Sequence, residues 1–154
     1  MQCLSKTEAR TVRAIGQTFY PRGNELGIDG IDAGVTGYID GYLAKLAVWE
    51  RTKVRALFWA IEYAPAAAAM DKSRRFSSAN LEERLEYLGA WENSSIHLRR
   101  MSFKALRYLL GLAYVSSGAV AAQIGIRDDE DLGDPEEHLR QLAQADIGDL
   151  GAAE

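Results

Sequence analysis

The sequence has few of the residues from which most catalytic and metal sites are built. Its 154 residues include one cysteine, Cys3, and two histidines, His97 and His138. A single cysteine excludes an internal disulfide framework and any multi-cysteine metal site. The sequence also lacks the Glu-x-x-His pairs of a di-iron helical bundle and the Gly-x-Ser-x-Gly elbow of a serine hydrolase. We therefore expect no catalytic residue, no metal site and no cofactor held by this chain.

Long hydrophobic runs are missing as well. The longest ones, such as residues 109–115, fall far short of the roughly 20 residues that span a bilayer. The first ten residues, MQCLSKTEAR, contain no apolar core of a secretory signal. We therefore expect a soluble, cytoplasmic chain without a membrane span. A periplasmic location stays open if a leader has been removed.

Charge is unevenly distributed along the chain, although the net charge is only -4. Residues 1–126 carry 16 Lys and Arg against 12 Asp and Glu, whereas residues 127–154 carry 2 against 10. The pI of about 5.3 and the acidic tail argue against a nucleic-acid partner. We predict one helical domain over 1–126. The tail over 127–154 is expected to be extended or ordered by a partner, and residues 136–145 are able to form a short helix there.

Hydrophobic periodicity predicts helices, and strand-type alternation is absent. The apolar residues of the central stretch 37–63 recur at steps of three and four: Ile39, Tyr42, Leu43, Leu46, Val54, Leu57, Phe58 and Ile61. Charged residues between them, among them Asp40, Arg55 and Glu62, are expected mostly on the opposite face. Whether 35–63 is one bent helix or two stays open, with a kink or short turn at Trp49.

Capping residues and prolines predict where several helices begin and end. Ser5 and Glu8 can form a capping box at the start of the first helix, and the same logic applies to Asn80 and Glu83. Prolines at positions 21 and 65 are expected to end the helices that precede them. The helix that follows Asn80 is predicted to bury Leu81, Leu85, Leu88 and either Trp91 or Ile96. A further helix follows through the apolar residues of 103–113. The predicted fold is an all-α bundle of about five helices.

A glycine-rich loop, residues 22–34, separates the first two helices. Its Gly27–Asp32 segment superficially resembles a calcium or phosphate loop. It lacks the ligand alternation and terminal glutamate of an EF-hand, and no strand precedes it. Turns and a helix cap at Asp32 are the favoured interpretation. A small enzyme or ligand-binding bundle that uses this loop is the weakest alternative.

Aromatic and basic residues are the candidates for a protein interface, because Arg, Trp and Tyr are enriched at interface hot spots. Core packing is the favoured role of each tryptophan, Trp49, Trp59 and Trp91, yet a small bundle has limited room for all of them. The basic residues around Arg99 are either a solvated helix face or a docking surface. The predicted partner-interface residues are Tyr20, Pro21, Trp49, Trp59, Arg74, Arg75, Arg99 and Arg100.

The order of these features resembles the gluconate 2-dehydrogenase subunit 3 family. The matching features are Leu4-Ser5-x-x-Glu8, Phe19-Tyr20-Pro21, the glycine-rich loop leading into Gly34-Val35-x-x-x-Ile39-Asp40-x-x-Leu43, Phe76 before Glu83-Arg84-x-x-x-Leu88, Arg99-Arg100-x-x-Phe103, Ala113-Tyr114 and Ile124-Gly125. The resemblance covers roughly residues 4–126 and leaves the acidic tail outside the pattern.

The resemblance implies a non-catalytic small subunit. Such a chain is expected to bind, stabilise and help mature a large subunit of the glucose-methanol-choline oxidoreductase type, which holds FAD and oxidises sugars or other alcohols. An electron-transfer subunit is a further candidate partner. Members often carry a twin-arginine leader, and this sequence shows none at its start. The alternative that the residues leave open is a stand-alone helical protein-binding or regulatory module.

Overall fold

The computed structural model describes residues 3–67 and 75–125, with the side chains of residues 65–67 excepted. Within these ranges the chain forms six α-helices, one 3₁₀ turn and no strand. The helices are α1 (Lys6–Phe19), α2 (Val35–Lys45), α3 (Val48–Ala67), α4 (Leu81–Glu92), α5 (His97–Val115) and α6 (Gly118–Gln123), with the 3₁₀ turn at Phe76–Ser78. The predicted all-α fold is confirmed.

Most of the described residues belong to the first of two units, residues 1–120. Of the second unit, 121–154, the structure describes only 121–125, which hold the end of α6 and a turn. The acidic tail 127–154 and the helix predicted over 136–145 lie outside the described residues. The domain boundary at residue 126 therefore stays a prediction.

Helix α1 is the element around which the first unit is packed. It contacts α2, α3, α4 and the 3₁₀ turn, while α5 packs on α2 and α4. The apolar residues of α1 at 12 and 15 are fully buried. The partner helices contribute buried side chains at the spacing that the sequence predicted: Ile39, Leu43, Phe58, Ile61, Leu106 and Leu110. Burial of these stripes is the main term that stabilises the bundle.

Both predicted capping boxes are confirmed. Ser5 Oγ accepts from the Glu8 amide at 3.3 Å, and the Glu8 carboxylate accepts from the Ser5 amide at 2.8 Å. Asn80 and Glu83 make the same reciprocal pair at the start of α4, with both distances 2.9 Å. These boxes satisfy amides that the first helical turn leaves without an internal partner.

The central stretch forms two helices. The break lies at Leu46 and Ala47, before the predicted position at Trp49, and Leu46 is extended with φ -77° and ψ 149°. Arg51 Nη2 donates to the Leu46 carbonyl at 3.1 Å, which supplies a partner to an oxygen that the break exposes.

Two predicted helix boundaries are wrong. The cap of α2 is Gly34 and not Asp32, because the chain turns through a left-handed residue at φ 70° and ψ 20°. Helix α3 continues past Pro65 to Ala67. Proline has a helical φ, so near a helix end it removes one backbone hydrogen bond without ending the helix.

Helix α4 buries a different stripe from the one predicted. Leu88 and Trp91 lie in the core as expected, and Tyr87 joins them. Leu81, Leu85 and also Ile96, which precedes α5, are exposed. Only part of α4 therefore faces the bundle: its contacts are mainly with α1 and α5, and Tyr87 also meets Phe76 of the 3₁₀ turn.

Two acidic residues placed on the exposed face by the periodicity are buried. Asp40 Oδ1 accepts from the amides of Cys3 and Leu4 at 2.9 and 2.7 Å, which anchors the start of the chain to α2. Glu62 lies between α1 and the 3₁₀ turn and accepts from Thr11 and Ser77. Burial of these carboxylates is tolerated because each is hydrogen-bonded.

Candidate partner-docking surface

Helix α5 presents apolar residues on two opposite sides. One side enters the core through Phe103, Leu106, Leu110 and Ala113, together with Tyr114. The other side is uncovered and carries Leu98, Met101, Ala105, Tyr108, Leu112 and Val115. Leu98 is 74% exposed and Tyr108 is 79% exposed. We call these six residues the outer stripe of α5. An uncovered apolar helix face of this kind is typical of proteins that bind another macromolecule.

A shallow apolar groove runs beside the first half of the outer stripe. It is lined by residues of α3 and α5 and by Trp91 of α4. The lining is apolar apart from a few polar groups at the rim: Val54, Ala56, Leu57, Ala60, Leu98, Met101 and Ala105, with Lys53, Arg99 and Ser102. The groove extends the apolar surface from α5 onto α3.

A second groove, on the other side of α5, combines apolar residues, among them Tyr108, Leu112 and Val115 of the outer stripe, with basic side chains, and we call it the basic groove. It is lined by Arg100, Lys104 and Arg107 along α5, and by Tyr20 from the end of α1. Arg107 forms an exposed ion pair with Glu92 at 3.6 Å, and Arg100 Nη1 donates to the carbonyls of Ser94 and Ser95. Lys104 has no ion-pair partner among the residues that the structure describes. The groove therefore favours an anionic neighbour.

Two of the predicted interface residues, Tyr20 and Arg100, are brought together in this basic groove. Tyr20 is half-buried and stacks on Tyr114 with ring centroids 3.7 Å apart and an angle of 2° between the ring planes. Pro21 follows it at the start of the loop and is partly buried. Arg99, one residue before Arg100, is exposed and lines the apolar groove on the opposite side of α5.

Trp49 and Trp59 are exposed on α3, at 65% and 47%, so the prediction that they pack in the core is wrong. The Lys53 ammonium lies 3.1 Å from the centre of the Trp49 ring. Trp59 stacks on Tyr63 at 5.0 Å, and the Arg75 guanidinium lies 5.4 Å from the Tyr63 ring. Both tryptophans are open to a partner, as the interface prediction requires.

The remaining residues that the sequence singled out lie in the core, at the surface or outside the described residues. Trp91 is in the core, as expected. His97 is an exposed residue at the first position of α5. Arg74 and His138 lie outside the described residues. The interface role of the eight predicted residues stays a prediction.

The glycine-rich loop is filled by its own hydrogen bonds. Asp29 Oδ1 accepts from the amides of Ile31 and Asp32, each at 2.8 Å, and Oδ2 accepts from Arg22 at 2.9 Å. These hydrogen bonds, above all that from the Asp32 amide, hold the pKa of Asp29 below its ordinary value. The Tyr114 hydroxyl donates to the Ile28 carbonyl at 2.6 Å. The loop is thus tied to α5, in agreement with its interpretation as turns.

The Glu8 carboxylate joins α1 to α3 beneath the exposed Trp59. Arg55 donates to both of its oxygens, at 2.7 and 3.0 Å, and Trp59 Nε1 donates at 3.2 Å. Burial acts to raise the pKa of Glu8, but the hydrogen bonds from Arg55 and Ser5 outweigh it and lower that pKa to about 2. Glu8 therefore stays ionised and fixes this part of α3.

Comparison with protein families identifies the chain. It matches the family described as gluconate 2-dehydrogenase subunit 3 over residues 6–127, and it belongs to that family. The family is one of accessory subunits within an enzyme of several subunits, so membership implies a partner chain. Comparison with curated proteins and with solved structures returned no match.

The described residues contain neither a membrane-spanning helix nor a metal-binding cluster. No helix in 3–67 or 75–125 combines the length and the apolar character needed to cross a bilayer. The same residues contain no group of three or more His, Cys, Asp or Glu side chains placed to hold a metal ion.

Sequence reasoning missed the outer stripe of α5. Its signal was present, because residues 98, 101, 105, 108, 112 and 115 follow one another at steps of three and four. The same helix holds a second apolar series at 103, 106, 110 and 113. The second series forms the core face, and periodicity alone does not show that the first series stays uncovered.

Proposed function

We propose that this chain is the small accessory subunit of an FAD-dependent dehydrogenase that oxidises sugars or other alcohols. In this role it binds, stabilises and helps mature a large subunit of the glucose-methanol-choline oxidoreductase type, which holds the FAD and carries out the oxidation. The substrate and the flavin belong to the large subunit. This chain contributes binding surface.

The observation that carries the proposal is the outer stripe of α5 in a chain of this family. A free monomer gains nothing from leaving Leu98, Tyr108 and Leu112 in water, because each would be stabilised by burial. An obligate partner removes that surface from water, and obligate interfaces commonly bury about 2,000 Å² or more. Exposed Trp49 and Trp59 extend the surface onto α3 and add residue types that dominate interface energies.

Co-purification tests the proposal directly. The full chain, tagged in its native host, should be recovered with a second chain of the size of a large oxidoreductase, and the complex should show the visible absorbance of a flavin. A colourless chain, recovered alone or only with itself, would contradict the proposal. That result would favour a stand-alone binding module.

The maturation role has its own test. The large subunit found in this way is expressed with and without the small chain, and the FAD content per polypeptide is measured after purification. We expect a soluble, FAD-loaded large subunit only when the small chain is present. Equal yield and equal FAD content in its absence would leave binding intact and refute the maturation role.

A further inference from the structure

The outer stripe of α5 has the spacing of a helix-packing seam. Its six residues alternate steps of three and four over residues 98–115, which gives a period of 3.5. Residues with this period stay on one side when two helices wrap around each other. The stripe rises about 25 Å along the helix axis, or about five turns. A second helix of similar length is the element that covers it without leaving gaps.

Charge beside the stripe specifies the kind of helix. Arg100, Lys104 and Arg107 form a row along one edge of the stripe, at steps of four and three. Helix α5 contains four Lys and Arg residues and no Asp or Glu. Glu92 on α4 neutralises part of this charge through Arg107, whereas Lys104 has no partner among the described residues. An occupant with acidic residues beside its apolar seam would complement the row.

The α5 helix of a second copy is a poor occupant. If two α5 helices packed antiparallel about a two-fold axis, the row at 100, 104 and 107 would face the same row of the other copy. In a parallel arrangement, the partner helix would still offer no acidic residue. Like charges placed opposite each other disfavour association, and buried ones do so strongly.

We propose that the outer stripe of α5 docks an amphipathic helix of the large subunit, whose apolar seam is bordered by acidic residues on the side of Lys104. This inference rests on the proposed function and names the surface and the partner chemistry through which it operates. The apolar contacts hold the helix, and the basic row fixes its direction and rotation.

Substitutions in the co-expressed complex test the seam. Leu112→Ser removes an apolar side chain that is 50% exposed, and Leu85→Ser makes the same change at a 53% exposed site on α4. Lys104→Glu reverses the charge of the row, with Arg13→Glu on the exposed side of α1 as its control. We expect at least a tenfold loss of recovered large subunit for the two α5 variants and less than a twofold change for the controls. Unchanged recovery with Leu112→Ser would overturn the inference.

Melting of each variant chain alone distinguishes a lost contact from a lost fold. Leu112→Ser and Leu85→Ser should both melt close to the unsubstituted chain, because both positions face solvent. A marked loss of stability confined to Leu112→Ser would show that the stripe is already covered within the free chain. That outcome would also overturn the inference.

A photo-crosslinker at position 108 identifies the occupant in the assembled complex. The expected product joins Tyr108's position to an amphipathic helix of the large subunit with Asp or Glu beside its seam. The same crosslinker at position 85, on the exposed side of α4, is the control. If the flavoprotein still co-purifies, either of two results would overturn the inference: a crosslink from position 108 to a second copy of this chain, or efficient crosslinking from position 85 with none from position 108. If no flavoprotein accompanies the unsubstituted chain, the proposed function and this inference fail together.

Discussion

Gly30 lies against the backbone of Gly16 so closely that a Cβ atom on Gly30 would be 2.5 Å from the Gly16 carbonyl oxygen. The same segment is fixed by two backbone hydrogen bonds, from the Gly30 amide to Tyr20 and from the Val35 amide to Gly30. The glycine-rich loop is therefore packed onto α1 at a point where only glycine fits. Gly30 is required by this close approach, whereas Gly23, Gly27 and Gly34 adopt positive φ values that favour glycine.

Gly30→Ala is expected to destabilise the chain by about 2–4 kcal/mol, because two backbones must separate to admit one methyl group. Gly41→Ala, inside α2 with open space around the added Cβ, is the matched control. Alanine there should stabilise by about 0.5–1 kcal/mol through helix propensity. Chemical denaturation of both variants measures the two effects. Equal and small changes would show that the loop does not pack on Gly16 in solution.

Tyr114 is expected to stabilise the loop through its hydroxyl group and its ring separately. Tyr114→Phe removes the 2.6 Å hydrogen bond to the Ile28 carbonyl and keeps the stack on Tyr20, so it should cost about 1 kcal/mol. Tyr114→Ala also removes the ring and should cost about 3–5 kcal/mol. Tyr108→Phe, at an exposed site on the same helix, should change the free energy of unfolding by less than about 0.5 kcal/mol. A Tyr114→Phe variant as stable as the unsubstituted chain would contradict the hydrogen bond.

The ionised Glu8 should make the free energy of unfolding depend on pH in the acid range. Its folded-state pKa of about 2 lies below the ordinary value of 4.5, so the unfolded chain binds the proton more readily. The stabilisation is fully present above pH 4.5 and is lost as the pH falls through 2. We expect about 2 kcal/mol, allowing for the partial exposure of Arg55.

The comparison of Glu8→Gln with the unsubstituted chain isolates this term. The stability difference should be largest at neutral pH and shrink as the pH falls from 4.5 toward 2, where Glu8 itself becomes protonated. Glu86→Gln, at an exposed position of α4, is the control and should differ little from the unsubstituted chain at any pH. A Glu8→Gln difference that does not vary with pH would exclude the ionised Glu8–Arg55 pair as its origin.

Features decided within one turn of the chain were predictable from sequence. The capping boxes at Ser5 and Asn80 need only a side chain and an amide three residues apart, and both form as predicted. Burial of Asp40 and Glu62 was not predictable, because each accepts a hydrogen bond from a distant residue. The Leu4 amide lies 36 residues from Asp40, and the Thr11 hydroxyl lies 51 residues from Glu62. Periodicity places a carboxylate on the solvent side, and it does not reveal the distant donor that makes burial tolerable.

The candidate surface shows a second limit of sequence reasoning. Helix α5 contains two apolar series on opposite sides, and the spacing of each is compatible with a core face. Only packing decides between them: the side with Phe103 and Leu110 faces the bundle, and the side with Leu98 and Tyr108 does not. Trp49 and Trp59 were assigned to the core for the same reason, because hydrophobicity alone does not say which partner covers a residue.

Replacing Glu62 by glutamine should cost much less stability than replacing it by alanine. Its Oε2 accepts from Thr11 and from the Ser77 amide, and its Oε1 accepts from the Ser77 hydroxyl, which is also able to accept. Glu62→Gln keeps one acceptor oxygen and turns the third contact into a donor, so it should cost about 1 kcal/mol. Glu62→Ala leaves the amide and hydroxyl of Ser77 without this acceptor and opens a cavity, while Thr11 keeps the Thr7 carbonyl, so it should cost about 3–5 kcal/mol. Urea titration of the two variants separates these values, and a glutamine variant as unstable as the alanine variant would show that the negative charge itself is required.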